Sequence, residues 1–309
     1  MILRDIISVF RPSRWYRNSF MLLGAILALG ITENSLIERS YEILIAFIAL
    51  CLVTSGNYGV NEICDIETDR AHPQKKHRSL ASGRVSIGLI SVLSLLLYIA
   101  SILIIFSLDK LPLSFSLILL LITGILYNVR PFRLKDYAYL DFLFEALNNP
   151  IRLAVGWFAV VNGSQIPSSF LFGFYAIGVF LMASKRFGEL RLFEAAEQDG
   201  SQYRLSLRHY SEKNLLFSMI AAISTFSFLF GILSYKYNIN LVLMLPFFIG
   251  WVIWFFELAY EDNSIVKDPE RIYEKKSFLV FSLTLVILFI WLLFSDTSFV
   301  SILTSKVEG

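Results

Sequence analysis

Nine times along this chain an apolar run rich in Leu, Ile, Phe and Val extends far enough to cross a bilayer, with short polar connections between the runs. Crossing ~30 Å of hydrocarbon takes about 20 consecutive helical residues. The runs lie at about 18–33, 41–60, 87–107, 112–128, 139–161, 168–184, 214–235, 239–260 and 276–296. In lipid, every backbone N–H and C=O must be satisfied within the segment, so helices are the economical solution. The strand-length alternation of an outer-membrane barrel is absent. Only 17% of the 309 residues are charged and 56% are hydrophobic, with a mean hydropathy of +0.64. Soluble domains carry about 25% charged residues, so this chain has too few to coat a globule of its size. The expected fold is an all-α polytopic membrane protein, nine transmembrane helices in a single domain over 1–309.

The charges that remain are sorted by side. The N-terminus and the loops after spans two, four, six and eight hold 22 of the 27 basic residues. Arg39, Lys110, Lys236 and Lys306 lie on the opposite side, and Arg152 lies inside span five. Cytoplasmic loops collect Lys and Arg, which predicts a cytoplasmic N-terminus and an external C-terminus. The first 17 residues, carrying Arg4, Arg11, Arg14 and Arg17, predict an interfacial segment rather than a cleaved signal. A net charge of +2 gives no reason to expect nucleic acid as a partner, and Cys51 and Cys64 alone supply neither a disulfide framework nor a zinc site.

Span two runs directly into Asn61, Asp65 and Asp69, spaced i, i+4, i+8, which on a continuing helix share one face. Oxygen-rich sets of this kind suit Mg²⁺, which takes one or two carboxylates and completes its shell with water and phosphate oxygens. A diphosphate held through the metal is a natural ligand. Arg70, Lys75, Lys76, His77 and Arg78 follow within one loop, where cations beside a metal site can clamp phosphate. For Lys76 and His77 a plain positive-inside loop is an equal reading.

A second ionic cluster, Lys185, Arg186 and Glu189, ends span six at the same boundary. Lys185 and Glu189 are i, i+4, so a helix salt bridge stands beside the reading as a second wall of a cytoplasm-facing polar pocket. The cytoplasmic loops 61–86 and 185–213 are thus the candidate catalytic loops. Arg152 lies one helical turn beyond Asn148 and two beyond Glu145. Ionisable groups at membrane depth face a cavity or a partner, so Arg152 is either an anion contact at the pocket floor or the partner of Glu145. Tyr127, Arg130 and Lys135 close span four beside it. Trp15, Arg14 and Arg17 admit both interfacial anchoring and capture of an anionic headgroup.

These residues resemble the UbiA superfamily of intramembrane transferases, whose nine-helix bundle carries an NDxxDxxxD-type motif after helix two. Here Glu62 stands where that motif usually has Asp. Within the superfamily the chain is similar to the polyprenyl-phosphate phosphoribosyltransferases. The likeness lies in Arg11-Pro12-x-x-Trp15-x-x-Asn18, in the stretch from Asp69 to Arg78, in Lys185-Arg186-Phe187-Gly188-Glu189-Leu190 and in Asp268-Pro269-Glu270. It departs at Asn148-Asn149-Pro150.

The resemblance implies Mg²⁺-dependent transfer of a 5-phosphoribosyl group from phosphoribosyl diphosphate (PRPP) to a long-chain polyprenyl phosphate lying in the membrane lipid. It makes Asn61, Asp65 and Asp69 the metal-binding and catalytic set. Arg70, Lys75, Arg78, Lys185 and Arg186 are then donor-phosphate contacts, with Glu189, Tyr127, Lys135, Arg152, Arg14 and Arg17 completing the substrate site. The alternative within the superfamily is a prenyltransferase that alkylates an aromatic or glyceryl acceptor. A transporter with ion-coupling carboxylates is the alternative outside it, and the spans lack the broken midplane pairs that such folds show.

Overall fold

The computed structural model describes residues 2–32, 34–71, 75–163, 165–195, 200, 204–261, 274–295 and 300. Everything described is helix, turn or loop, with no strand among these residues. His72, the Asp268-Pro269-Glu270 segment and the C-terminus expected outside lie beyond the described residues.

The described residues form twelve α-helices of defined bounds, in order: α1 Ile2–Phe10, α2 Met21–Ile31, α3 Leu36–Cys64, α4 Ile66–Ala71, α5 Ile87–Phe106, α6 Leu111–Asn128, α7 Leu140–Ala146, α8 Asn148–Val160, α9 Ser168–Ala195, α10 Glu212–Tyr237, α11 Leu245–Tyr260 and α12 Lys276–Leu293. Among the described residues, seven helices are long and apolar enough to span a membrane, the sixth comprising α11 and the 3₁₀ turns before it. The chain is thus a polytopic all-α membrane protein, and the expectation of nine single spanning helices is corrected at two places. The run at 18–33 divides into a 3₁₀ stretch, Pro12–Phe20, and the 11-residue α2. The run at 139–161 divides into α7 and α8. The physical reason for the second break is Pro150, which has no N–H to return to the carbonyl four residues back. The ladder tightens instead, with Leu147 N–H donating to the Phe144 carbonyl and Asn148 Nδ2 to the Glu145 carbonyl.

The chain forms two compact units, Met1–Ile166 with Ser201–Ser206, and Pro167–Gly200 with Leu207–Gly309. In the first unit, α3 is the axis against which α5, α6 and α8 pack. Buried polar rungs set their register. Ser101 Oγ donates to the Ala49 carbonyl at 2.8 Å, and Tyr98 Oη donates to Asn57 Oδ1, whose Nδ2 reaches the Leu120 carbonyl. Such interhelical hydrogen bonds are characteristic where lipid supplies no hydrophobic drive for helix association.

Helices α2 and α8 meet backbone to backbone. A Cβ on Gly24 would overlap the Leu153 carbonyl, and one on Gly156 would overlap the Met21 carbonyl. At the other end of the unit, α1 buries Val9 against Ile66, Leu80, Val85 and Ile90, and leaves Ile2, Leu3 and Ile7 exposed. This is the amphipathic arrangement expected of an interfacial segment. Trp15 is tied down within the unit, its Nε1 donating to Ser55 Oγ at 3.0 Å.

The second unit is held by aromatic packing. Phe180 of α9 meets Trp251 and Phe255 of α11, Phe226 and Phe230 of α10 meet Phe248, and Phe278 of α12 meets Trp251 and Trp254. Offset and edge contacts of this kind add about 0.5–1.5 kcal/mol each beyond area burial.

Candidate functional site

Helix α3 stops at Cys64, and Asp65 sits at its C-cap with φ −101° and ψ 4°. The helix expected to continue through Asp69 is therefore broken, with α4 taking over at Ile66. The i→i−4 register nevertheless survives the break: the Asp65 N–H donates to the Asn61 carbonyl at 3.1 Å and the Asp69 N–H to the Asp65 carbonyl at 2.7 Å. Asn61, Asp65 and Asp69 thus remain on one backbone ladder.

Each carboxylate already carries basic partners. Asp65 Oδ1 accepts from Lys135 Nζ at 2.6 Å and Arg133 Nη2 at 2.8 Å, and Asp69 Oδ2 accepts from Arg78 Nη1 at 2.6 Å. Burial alone would raise the Asp65 carboxyl, but Lys135 and Arg133 outweigh it and hold the group below the ordinary carboxylate range. Lys135, itself buried, also donates to Asn128 Oδ1, the same oxygen that takes Asn61 Nδ2 at 2.5 Å. Arg133 escaped the sequence reading as a site residue, where it counted only among the cytoplasmic charges. Its αL backbone (φ 35°) and its second pair with Asp136 Oδ2 aim the guanidinium across 68 residues of sequence.

The donor set suits a hard divalent cation. Two carboxylates and an amide stand one turn apart, and both cations on Asp65 engage Oδ1, so Oδ2 is left without a hydrogen bond to any described residue. No group of three or more His, Cys, Asp or Glu residues is placed to hold a metal among the described residues, so solvent and ligand oxygens would complete such a shell.

Glu62, next in the motif, has a different task. It is buried, its Oε1 accepts the Leu80 N–H and its Oε2 lies 3.8 Å from Arg11. Burial, reinforced by repulsion from Arg14 and Arg78, pushes the Arg11 guanidinium down to about 10, so it stays cationic at neutral pH. Arg11 and Arg14 both lie over the ring of Tyr58, at 5.2 and 5.6 Å from its centroid.

Arg152 joins this arginine face. It does not pair with Glu145, as one reading expected; its Nε donates to Asn18 Oδ1 at 3.1 Å, and Asn18 Nδ2 is held in turn by Thr54 Oγ1 and Cys51 Sγ. Glu145 accepts from Tyr127 Oη instead. Arg17 stands near enough to repel Arg152, and among the described residues Arg152 makes no ion pair. Helix α3 is therefore flanked by cations on two faces, Arg133 and Lys135 from beyond α6 on one, and Arg11, Arg14 and Arg152 from the N-terminal segment and α8 on the other.

Elsewhere in the first unit, Asp141 is fully buried and fastens the 204–206 segment, accepting from Ser206 Oγ at 2.8 Å with Arg204 at 3.5 Å. Arg70 Nε donates to the Ala81 carbonyl, which makes it a loop brace. In the second unit, Glu189 pairs with Arg186, three residues back. Arg186 is completely buried on α9.

A model of the UbiA prenyltransferase family matches residues 19–267. The decaprenyl-phosphate phosphoribosyltransferase of Mycolicibacterium smegmatis is 31% identical over 219 residues, 70% of this chain and 65% of that protein. The protein of the same description from Mycobacterium tuberculosis is 26% identical over 279 residues, 88% of each. Among solved structures, a UbiA homolog from Archaeoglobus fulgidus bound to DMAPP and Mg²⁺ superposes with a TM-score of 0.68 at 15% identity, covering 95% of this chain and all of that one.

Proposed function

This chain belongs to the UbiA prenyltransferase family, and from that premise we propose that it transfers a 5-phosphoribosyl group from PRPP to a polyprenyl phosphate, releasing diphosphate. The observation that carries this reading is the gathering of cations on two faces of α3. Lys135, Arg133 and Arg78 pair with Asp65 and Asp69, and on the neighbouring face of α3 Arg11 and Arg14 gather over Tyr58 beside Arg152, which donates to an amide and makes no ion pair among the described residues. A donor with a diphosphate and a 5-phosphate, meeting a phosphate acceptor, supplies the anions for both faces. An allylic diphosphate meeting an acceptor without a phosphate supplies them for one.

Asp65 and Asp69, with Asn61 beside them, would hold Mg²⁺, the cation with which the A. fulgidus UbiA homolog is described as bound. When bound, the metal neutralises charge on the departing diphosphate. Arg78 and Lys75 bind the donor's phosphates, and Arg14, Arg17 and Arg152 receive the lipid phosphate. The bond from ribose C1 to the diphosphate oxygen breaks as one to the lipid phosphate oxygen forms. A phosphate monoester is already anionic at neutral pH, so the site has no need of a general base. The basic bias of the N-terminus and even-numbered loops supports a cytoplasmic face for this chemistry.

The test is to incubate the purified protein with labelled PRPP, Mg²⁺ and a polyprenyl phosphate. A labelled lipid is expected, and Asp65→Asn and Asp69→Asn should each abolish it. The second reading, prenyl transfer, is favoured by the likeness to digeranylgeranylglyceryl phosphate synthases from two archaea. Consumption of an allylic diphosphate with no phosphoribosyl lipid formed would establish it instead.

A further inference from the structure

Arg78, which pairs with Asp69, lies in a loop that the surface helix α1 grips from outside. Asp5 Oδ1 accepts from Ser79 Oγ at 3.0 Å and from Arg84 Nε at 2.8 Å. Arg84 Nη2 reaches back to the His77 carbonyl at 2.8 Å, and Ser8 Oγ lies 2.9 Å from Ser79 Oγ. The residues on both sides of Arg78 are thus fastened to one carboxylate, Ser79 directly and His77 through Arg84. The loop closes on itself through the Arg78 N–H to the Lys75 carbonyl and the Arg84 N–H to the Ser79 carbonyl. Beneath these contacts Val9 is buried against Leu80 and Val85, so α1 cannot slide along the loop without opening that cluster.

We infer that Asp5 is a positioning residue: it sets the backbone on either side of Arg78, and through Arg78 it tunes the grip of the Asp69 site on a diphosphate. The inference rests on the functional reading above for the identity of the ligand. It makes the interfacial helix part of the site's scaffolding. An Arg side chain has many rotamers, and a loop free to shift would dilute the one that reaches Asp69. Two anchors flanking the residue remove that freedom without touching the ligand.

The experiment measures binding of inorganic diphosphate with Mg²⁺ to the full chain in nanodiscs by calorimetry. Asp5→Asn is expected to weaken affinity by about tenfold, and Asp5→Glu to restore most of it. In an Arg78→Gln background the Asp5 substitution should change affinity by less than about twofold, because the two act through one route. Losses that multiply in the double variant, or an Asp5→Asn protein that binds like the parent, overturn the inference. Ser79→Ala offers the same comparison from the other side of the contact. A parent protein that fails to bind Mg²⁺ and diphosphate overturns the functional reading, and amide exchange over residues 75–84 then decides the linkage alone. Faster exchange in Asp5→Asn sustains it, and unchanged exchange refutes it.

Discussion

Lys135 Nζ lies 2.6 Å from Asp65 Oδ1, with both side chains largely out of solvent. Removing one partner of such a pair leaves a buried charge uncompensated, a loss of about 3 kcal/mol or more. Arg133 shares the same oxygen and softens that loss. Lys135→Met should therefore lower the melting temperature clearly, while Lys135→Arg, which keeps the charge, should recover part of it. Thermal unfolding in detergent, followed by circular dichroism, reads both.

Arg152 is held by Asn18 through Nε, so Arg152→Gln takes away the charge without demanding a larger cavity. The expected result is a rise of about tenfold or more in KM for the polyprenyl phosphate, with KM for PRPP nearly unchanged. Steady-state kinetics with each substrate varied in turn would show this split. Equal rises for both substrates would place Arg152 at the donor.

Gly24→Ala and Gly156→Ala should each destabilise the protein by about 3 kcal/mol or more, since the added methyl meets a carbonyl of the facing helix rather than a movable side chain. Gly231→Ala, where a methyl would meet nothing, is the control and should leave the melting temperature unchanged.

Asp5 gives a pH signature. Its hydrogen bonds from Arg84 and Ser79 hold the carboxyl below the ordinary range. A folded value depressed in this way contributes stability above the unfolded value of about 3.9, and that contribution is lost as pH falls through the folded value. Titration of a ¹³C-labelled Asp5 carboxyl should show a midpoint below about 3.9. In Arg84→Gln the midpoint should move up toward it.

The polytopic all-α architecture and the alignment of Asn61, Asp65 and Asp69 were legible because both are local. Long apolar runs announce spans through composition, and Asn61, Asp65 and Asp69 share a backbone ladder whether or not the helix breaks at Asp65. The break at Leu147 had its signal in Pro150. What stayed hidden was pairing over distance. Arg133 meets Asp65 across 68 residues, Arg152 meets Asn18 across 134, and Asp5 meets Arg84 across 79. A lone basic residue in a sequence carries no sign of which acid it will face. The reading of Arg152 as the partner of Glu145, one of the two that its position allowed, does not hold for that reason: proximity along one helix says nothing about contact with a different segment.

The reciprocal approach of Gly24 and Gly156 gives α2 and α8 a common origin of measurement. No rotamer change can lengthen or shorten a contact made by main chain alone. Asn18 lies just ahead of α2 and Arg152 one turn before Gly156, so the pair inherits its separation from the packing of two main chains. The depth at which this guanidinium waits is then a property of the scaffold, as constant as the mark on a gauge. On the proposed function, a lipid phosphate that reaches it is measured against that mark.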